Sequence, residues 1–461
     1  MTLPAIPTTE QPLIRPKVIV LDDDPTGSQT VHSCLLLMRW DVETLRLGLQ
    51  DDSPIFFILT NTRSRPPAEA EHVIREVCRN LKAAIALEQI QHFLIVSRSD
   101  STLRGHYPLE TDAIANELGP FDAHFLVPAF FEGGRLTRNS IHHYVYTNGS
   151  DGTQEIPVHE TEFARDPVFG FSHSYLPNYV EEKTGGAIAA SAVKTFQLSA
   201  IRSGCLDQLL ALEQNQCVVV DGEQQTDLDQ LATDLFTAAS RGKRFLFRSA
   251  ASLLTSLAQL PPQPISMENM GQLTQNRQPG AVIVGSYTSK TTEQLEILLQ
   301  RPDIAGIEIN LSPLLGQSVS DLKTVVNQLL HNTLKRVNDA HHDGYGVVIY
   351  TSREVIQFDH TEQQLHFSHT VVTLLNDIVQ QLPPTTGFLI SKGGMTSNTI
   401  LSDALALRSA RLLGQIVPGC CIVCTDTTHP QFPNLPVVMF PGNVGDTESL
   451  AIAYTRLASA P

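Results

Sequence analysis

The chain has 461 residues, 42% hydrophobic and 17% charged, with a formal net charge of −16. That length is too great for one ordinary core and predicts two domains, while the acidic balance, with no basic block to offset it, argues against a nucleic-acid backbone or an anionic membrane as the main partner. No apolar run reaches membrane-spanning length, the N-terminus lacks a signal-peptide core, and seven cysteines, an odd number, fit a reducing, cytoplasmic setting.

Residues 1–16 carry Pro and Thr without periodicity and read as a loose arm. From residue 17 to 258 strands and helices alternate. Strands are expected at Val18–Leu21, Cys34–Met38, Ile55–Thr60, His92–Ser97, His124–Val127, Thr195–Leu198, Cys217–Val220 and Phe245–Arg248. Helical patterns lie at Pro67–Leu87, Leu109–Leu118, Ile201–Glu213 and Leu228–Arg241. The stretch 131–192, rich in Gly, His and Tyr, has no clear period and reads as a cover over a site. Residues 259–280 carry four prolines and read as a linker. Alternation restarts over 281–461. Strands are expected at Ala281–Val284, Gly306–Asn310, Gly346–Tyr350, Phe388–Ile390, Cys421–Cys424 and Pro436–Phe440. Helices are expected at Thr291–Leu299, Val319–Ala340, Gln363–Gln381, Thr399–Leu413 and Asp446–Ala458. Strands separated by helices imply two α/β lobes, each a largely parallel sheet covered by helices.

The polar chemistry gathers just after the strands, where ligands of open α/β sheets bind. Val18–Leu21 runs into Asp22, Asp23 and Asp24, then Pro25-Thr26-Gly27. Three adjacent carboxylates can accept hydrogen bonds from hydroxyls, act as a base or hold a metal; a solvated turn capped by Asp24 is the plainer alternative. Arg98, Asp100, Ser101, Thr102 and Arg104 follow the next such strand and suit an anionic, hydroxylated ligand, or an ion pair that stabilises the loop. Arg135, after Gly133-Gly134, is a further anion clamp or a surface residue. Gly285-Ser286-Tyr287-Thr288 opens a helix, and its free N–H groups suit phosphate, although the second glycine of a P-loop is missing. Gly393-Gly394-Met395-Thr396 and Gly442-Asn443-Val444-Gly445-Asp446 allow a nucleotide to lie against backbone, or simply make tight turns. His142-His143 and His341-His342 read as loop and helix-end histidines, and Cys421 and Cys424 as small apolar residues of a strand.

In this order, D-D-x-T-G (Asp23, Asp24, Thr26, Gly27), R-x-D-S-T-x-R-G (Arg98 to Gly105), G-S-x-[ST] (Gly285, Ser286, Thr288), G-G-x-T-S (Gly393 to Ser397) and G-N-x-G (Gly442, Asn443, Gly445) resemble the four-carbon acid sugar kinase family. The resemblance covers about residues 17–455. It implies ATP-dependent phosphorylation of the terminal hydroxyl of a tetronate or 3-oxo-tetronate, with the active site in a cleft between the lobes. An acid-sugar domain would span 17–258 and a nucleotide domain 281–461. The sugar acid would meet Asp23, Asp24, Thr26, Arg98, Asp100, Ser101, Arg104 and Arg135. ATP would meet Ser286, Thr288, Gly393, Gly394, Met395, Thr396, Gly442, Asn443, Gly445 and Asp446. Met395 stands where the family loop often has an acid, so the Mg²⁺ ligands are left unassigned. Asp24 and Asp100 are the candidate catalytic bases, Asp24 first because Pro25 and Gly27 fix its turn. Arg98, Arg104, Arg135 and Lys392 are the expected cations. The partners expected are the sugar acid and ATP, with no nucleic acid and no membrane; association into a homo-oligomer is left open. The rival from another class is a two-lobed, non-catalytic sensor of an acidic metabolite.

Overall fold

The computed structural model describes residues 15–147, 152–274, 278–317, 319–353, 356, 358 and 361–459. All but Arg15 and Pro16 of the expected N-terminal arm lies outside the described residues. The strands up to residue 258 are β1 (Lys17–Asp22), β2 (Leu35–Leu37), β3 (Ile55–Leu59), β4 (Phe93–Arg98), β5 (Ala123–Val127), β6 (Arg135–Arg138), β7 (Ile141–Thr147), β8 (Thr153–Pro157), β9 (Lys194–Phe196), β10 (Gln216–Val220) and β11 (Phe245–Ser249). Beyond it come β12 (Ala281–Val284), β13 (Ile304–Ile309), β14 (Gly346–Thr351), β15 (Leu389–Lys392), β16 (Ser409–Val417), β17 (Cys420–Cys424) and β18 (Pro436–Phe440).

The chain forms two compact units, and neither is one block of sequence. The first takes the chain up to Val20 and then Ile74–Ala258; the second takes Leu21–Val73 and everything from Gln259 onward. Strand β1 therefore ends in a different unit from the one it starts in.

In the first unit the strand order is β1-β4-β11-β5-β10-β9. β11 pairs in parallel with β4 and β5, and β10 in parallel with β5 and β9. Val, Ile, Leu and Phe fill β4, β5, β10 and β11, which are buried almost throughout, as strands covered on both faces must be. The aperiodic 131–192 stretch contains an antiparallel sheet, β6-β7-β8, and short helical turns. Asn139 and Ser140 turn the β6–β7 hairpin at φ +52° and +62°. Their N–H groups donate to the Asp221 carboxylate at 2.9 and 2.7 Å, which stabilises an uncommon conformation for residues other than glycine.

In the second unit the order is β13-β14-β12-β15-β18-β17-β16-β2-β3. The five strands from β13 to β18 are parallel, β17 and β16 run antiparallel to their neighbours, and β2 pairs in parallel with β3. The helix expected at Thr399–Leu413 is not formed. Gly394–Thr399 is helical, Ile400–Ala404 is a single π-helical turn, and Ser409–Val417 is β16. Leu407, Ala410 and Leu412 are buried in either pattern, but pairing of β16 with β2 and β17, and Gly414 at φ +135°, settle the strand. Ile201–Glu213 is broken in two at Gly204, φ +94°. Within the Pro-rich 259–280 stretch, Met267–Leu273 is a 3₁₀ segment whose Met270 is buried among Val282, Phe388 and Ile416.

Candidate active site

Three loops of the second unit follow three adjacent parallel strands, β12, β15 and β18, and meet one another. After β12, Thr288 caps the helix Ser289–Leu298, its Oγ1 accepting from the N–H of Thr291 at 3.3 Å. Thr291 Oγ1 reaches Ser286 Oγ and the Gly442 carbonyl, both at 3.1 Å, tying the first loop to the third. Gly393 adopts φ +123°, and a Cβ there would lie 3.2 Å from Ser286 Cβ and Thr396 Oγ1. A Cβ on Gly442 would lie 3.1 Å from Ser286 Oγ. The positive φ at Gly393 and the close approach of Ser286 to both glycines favour glycine at these two positions. Gly445, φ +81°, packs on Ser449 Oγ, which donates to Asp446 Oδ1 at 2.7 Å. Lys290 Nζ donates to the Gly445 carbonyl at 3.1 Å. Met395, Asn443 and Asp446 are exposed.

The acidic turn belongs to this same unit. The Asp23 carboxylate is buried and paired with Arg63 in fork geometry, Nη2 to Oδ1 at 2.5 Å and Nε to Oδ2 at 3.1 Å. Asp24 Oδ1 accepts from the Thr26 N–H at 2.8 Å and from Thr26 Oγ1, and Oδ2 lies 3.5 Å from Arg63 Nη1. A Cβ built on Gly394 would sit 3.1 Å from Asp24 Oδ2. Gly27 folds over the buried Asp22 carboxylate with no room for a Cβ. Asp23 and Asp24, expected in the acid-sugar domain, fall in the same compact unit as the glycine loops. Reading from sequence alone also missed Arg63. It follows β3 as Thr60-Asn61-Thr62-Arg63, and only its position just beyond an apolar strand marked it out.

In the first unit, the loop after β4 is built from side chains. Asp100 Oδ2 accepts from Thr102 Oγ1 at 2.5 Å and Arg104 Nε at 2.6 Å, and Oδ1 from the Thr102 N–H at 3.3 Å. Arg98 and Ser101 are buried. His142, fully buried on β7 rather than in a loop, donates or accepts at both ring nitrogens: Nε2 to the Ser101 carbonyl at 2.7 Å, Nδ1 to Thr137 Oγ1 at 2.9 Å. With a carbonyl at Nε2, that nitrogen carries the hydrogen and Nδ1 accepts. Burial holds His142 down to about 4, so it is neutral at ordinary pH. Arg104 and Arg135 both lie over the Phe163 ring, at 5.1 and 5.8 Å, and Arg135 also over Tyr144 at 4.5 Å. Burial lowers Arg135 from its ordinary value.

The expected cations are thus unequal. Lys392, at the end of β15, is fully buried and donates to the Pro441 and Gly442 carbonyls at 2.6 and 3.3 Å rather than standing on a surface. A cation the sequence reading did not name, Arg353, follows β14 and donates to Thr292 Oγ1 from Nε at 3.2 Å and Nη2 at 2.9 Å. The cysteines are free thiols, and Cys420 and Cys421 are buried on β17. Among the described residues no helix is long and apolar enough to cross a membrane.

Comparison with known proteins divides the chain by sequence rather than by compact unit, and sets Asp23 and Asp24 within the sugar-binding match. Residues 18–257, more than half of the chain, match the family model described as a sugar-binding N-terminal domain, and residues 281–450 match a nucleotide-binding C-terminal domain. The chain belongs to the four-carbon acid sugar kinase family. It is 24% identical over 295 residues to a D-erythronate kinase of Heliobacterium modesticaldum, across 60% of this chain and 59% of that protein. It is 26% identical over 170 residues to a D-threonate kinase of Bordetella bronchiseptica, across 35% and 38% of the two chains. The chain thus spans less than two thirds of the length of either curated relative in these matches. A crystal structure from Salmonella typhimurium LT2 has the same fold, with a TM-score of 0.65 at 18% identity over 95% of this chain and 98% of its own. So does Haemophilus influenzae protein HI1011, with a TM-score of 0.60 at 16% identity over 95% and 100%.

Proposed function

We propose that this chain is an ATP-dependent kinase that phosphorylates the terminal hydroxyl of a four-carbon sugar acid of the tetronate or 3-oxo-tetronate type. The observation that carries the reading is the Asp24 carboxylate standing against Gly394, at a wall made of three glycine-bearing loops. A nucleotide whose phosphates lie along Ser286, Thr288, Gly393–Thr396 and Gly442–Asp446 would have a carboxylate at the place where a proton must be accepted. Both curated relatives are named as kinases of four-carbon sugar acids, which favours the same substrate class here.

In this reading Asp24 Oδ2 takes the proton of the acceptor hydroxyl as its oxygen attacks the γ-phosphorus, and the bond to the β-phosphate oxygen breaks to release ADP. Thr26 fixes the other oxygen of Asp24, and Arg63, gripped by Asp23, holds the turn. Arg98 and Arg104 bind the carboxylate of the sugar acid, with Ser101 and Arg135 beside them. Asp100 already accepts three hydrogen bonds from Thr102 and Arg104. It therefore orients Arg104 rather than serving as a base. Mg²⁺ would neutralise the phosphate oxygens. Among the described residues no three His, Cys, Asp or Glu side chains converge as a metal cage. The hard carboxylate oxygens of Asp24 and Asp446 suit an ion held mostly by ATP. The free thiols fit a protein of a reducing, cytoplasmic compartment.

The test is ADP release by the full chain with MgATP against a panel of four-carbon sugar acids, with aldoses as controls. Turnover confined to sugar acids supports the reading. Tight binding of a sugar acid with no turnover of any panel member would replace it by the sensor reading.

A further inference from the structure

Lys392 is among the largest fully buried side chains of the protein. Its ammonium donates to the carbonyls of Pro441 and Gly442 and lies 4.1 Å from the centre of the Phe440 ring. Among the described residues no carboxylate forms an ion pair with it. The titratable groups that act on it are the Cys420 thiol of β17 and the Lys290 ammonium of the helix Ser289–Leu298. The flanking strands place Val284 and Phe440 beside it in register, and neither ionises. A buried ammonium with carbonyls and a ring but no counter-charge is costly to keep protonated, and the protein retains it directly beneath the Gly442 loop.

The peptide groups it holds are oriented. In a trans peptide C=O and N–H point in opposite directions, so carbonyls of 441 and 442 turned toward Lys392 send the N–H groups of Gly442 and Asn443 away from it. Among the described residues neither N–H has a hydrogen-bond partner. An ammonium below and outward N–H groups above form a receptor for negative charge.

We propose that Lys392 is the buried counter-charge of the nucleotide's phosphates, and that binding of the polyphosphate draws a proton onto its amine. This rests on the reading of the three loops as the nucleotide wall. Burial, with Lys290 acting in the same direction, lowers Lys392 to about 7. In the free protein the amine is therefore largely neutral above that pH. A polyphosphate beside it favours the charged form, so the proton enters as the ligand does.

The experiment is calorimetric titration of the full chain with MgATP, at about pH 6 and about pH 8, in buffers of different ionisation enthalpy. At about pH 8 the terminal phosphate is already ionised and contributes little exchange. Uptake approaching one proton per ATP is expected there, and almost none at the lower pH. Lys392→Met should remove the uptake and weaken ATP binding by ~10–100-fold, as loss of a buried counter-charge does, while affinity for the sugar acid stays as in the wild type. ATP binding with the same proton count at both pH values, or a Met variant that binds ATP normally, would overturn the proposal and leave the nucleotide wall intact. Failure of the wild type to bind ATP at either pH would overturn the wall and, with it, the role of Lys392. The wild-type proton count stands whether or not the variant folds.

Discussion

The loop after β4 and the loops after β12, β15 and β18 occupy equivalent places in their sheets and are built from opposite materials. The first is a lattice of side chains: Asp100 bonded to Thr102 and Arg104, and His142 holding Ser101 from beneath. The others present backbone, with Gly393 and Gly442 packed so closely on Ser286 that a Cβ would crowd it. Side chains select the shape and charge of a particular small anion. Backbone N–H groups donate to any phosphate chain and leave identity to be read elsewhere. Changes of charge should therefore damage the first unit, and changes of volume the second.

The largest departure from that rule is expected at Asp24, a charge in the unit of backbone loops. Asp24→Asn keeps the volume, and kcat should fall ~10²–10⁴-fold, the range for lost general-base assistance. Steady-state kinetics with ATP affinity measured in parallel decides this; near-normal turnover would remove Asp24 from the reaction. Next is Gly394→Val. Its added methyls must share the 3.1 Å gap to Asp24 Oδ2, and ATP affinity should fall by about 100-fold or more, while the sugar acid binds as before. Calorimetry with each ligand reads both sides of the comparison. Arg104→Lys should be milder. The ammonium cannot reproduce the guanidinium fork, so KM for the sugar acid should rise about 10-fold with KM for ATP unchanged. A rise in the ATP constant alone would assign these arginines to phosphate.

The smallest expected effect is one of stability. His142 is held neutral in the folded chain, to about 4 against an ordinary 6.5. Between those values the unfolded chain binds a proton that the folded chain does not. Stability should therefore be lost as the pH falls from about 6.5 toward 4, by about 1–3 kcal/mol in all. Urea unfolding at several pH values measures the slope, and His142→Gln should flatten it.

Much of this was legible in the chain itself. Pro67–Leu87 and Leu109–Leu118 form the helices their periodicity marks, because each carries an apolar stripe long enough to outweigh alternatives. The loops after β4, β12, β15 and β18 were legible as loops, because glycines and charged residues break the apolar strands there. Ser409–Val417 was not, because its apolar residues fit either period and the decision came from partners far away in sequence. The 131–192 stretch hid a sheet because its hairpin turns on Asn139-Ser140 rather than Asn-Gly. Arg63 was silent because its meaning is a contact with Asp23, 40 residues earlier.

The division of the chain inside β1 bears on how the protein is made. The second unit needs Leu21–Val73 as well as the last two hundred residues, and the thiol of Cys421 donates a hydrogen bond to the carbonyl of Ser28 across 393 positions. At synthesis rates of about 5–20 residues per second, the opening segment leaves the ribosome roughly 20–80 s before its partner exists. A fragment beginning at residue 281 would lack β2 and β3 and leave the edge of β16 open. Nascent chains therefore face their greatest aggregation hazard in that interval, and truncation from the front should cost solubility before it costs chemistry.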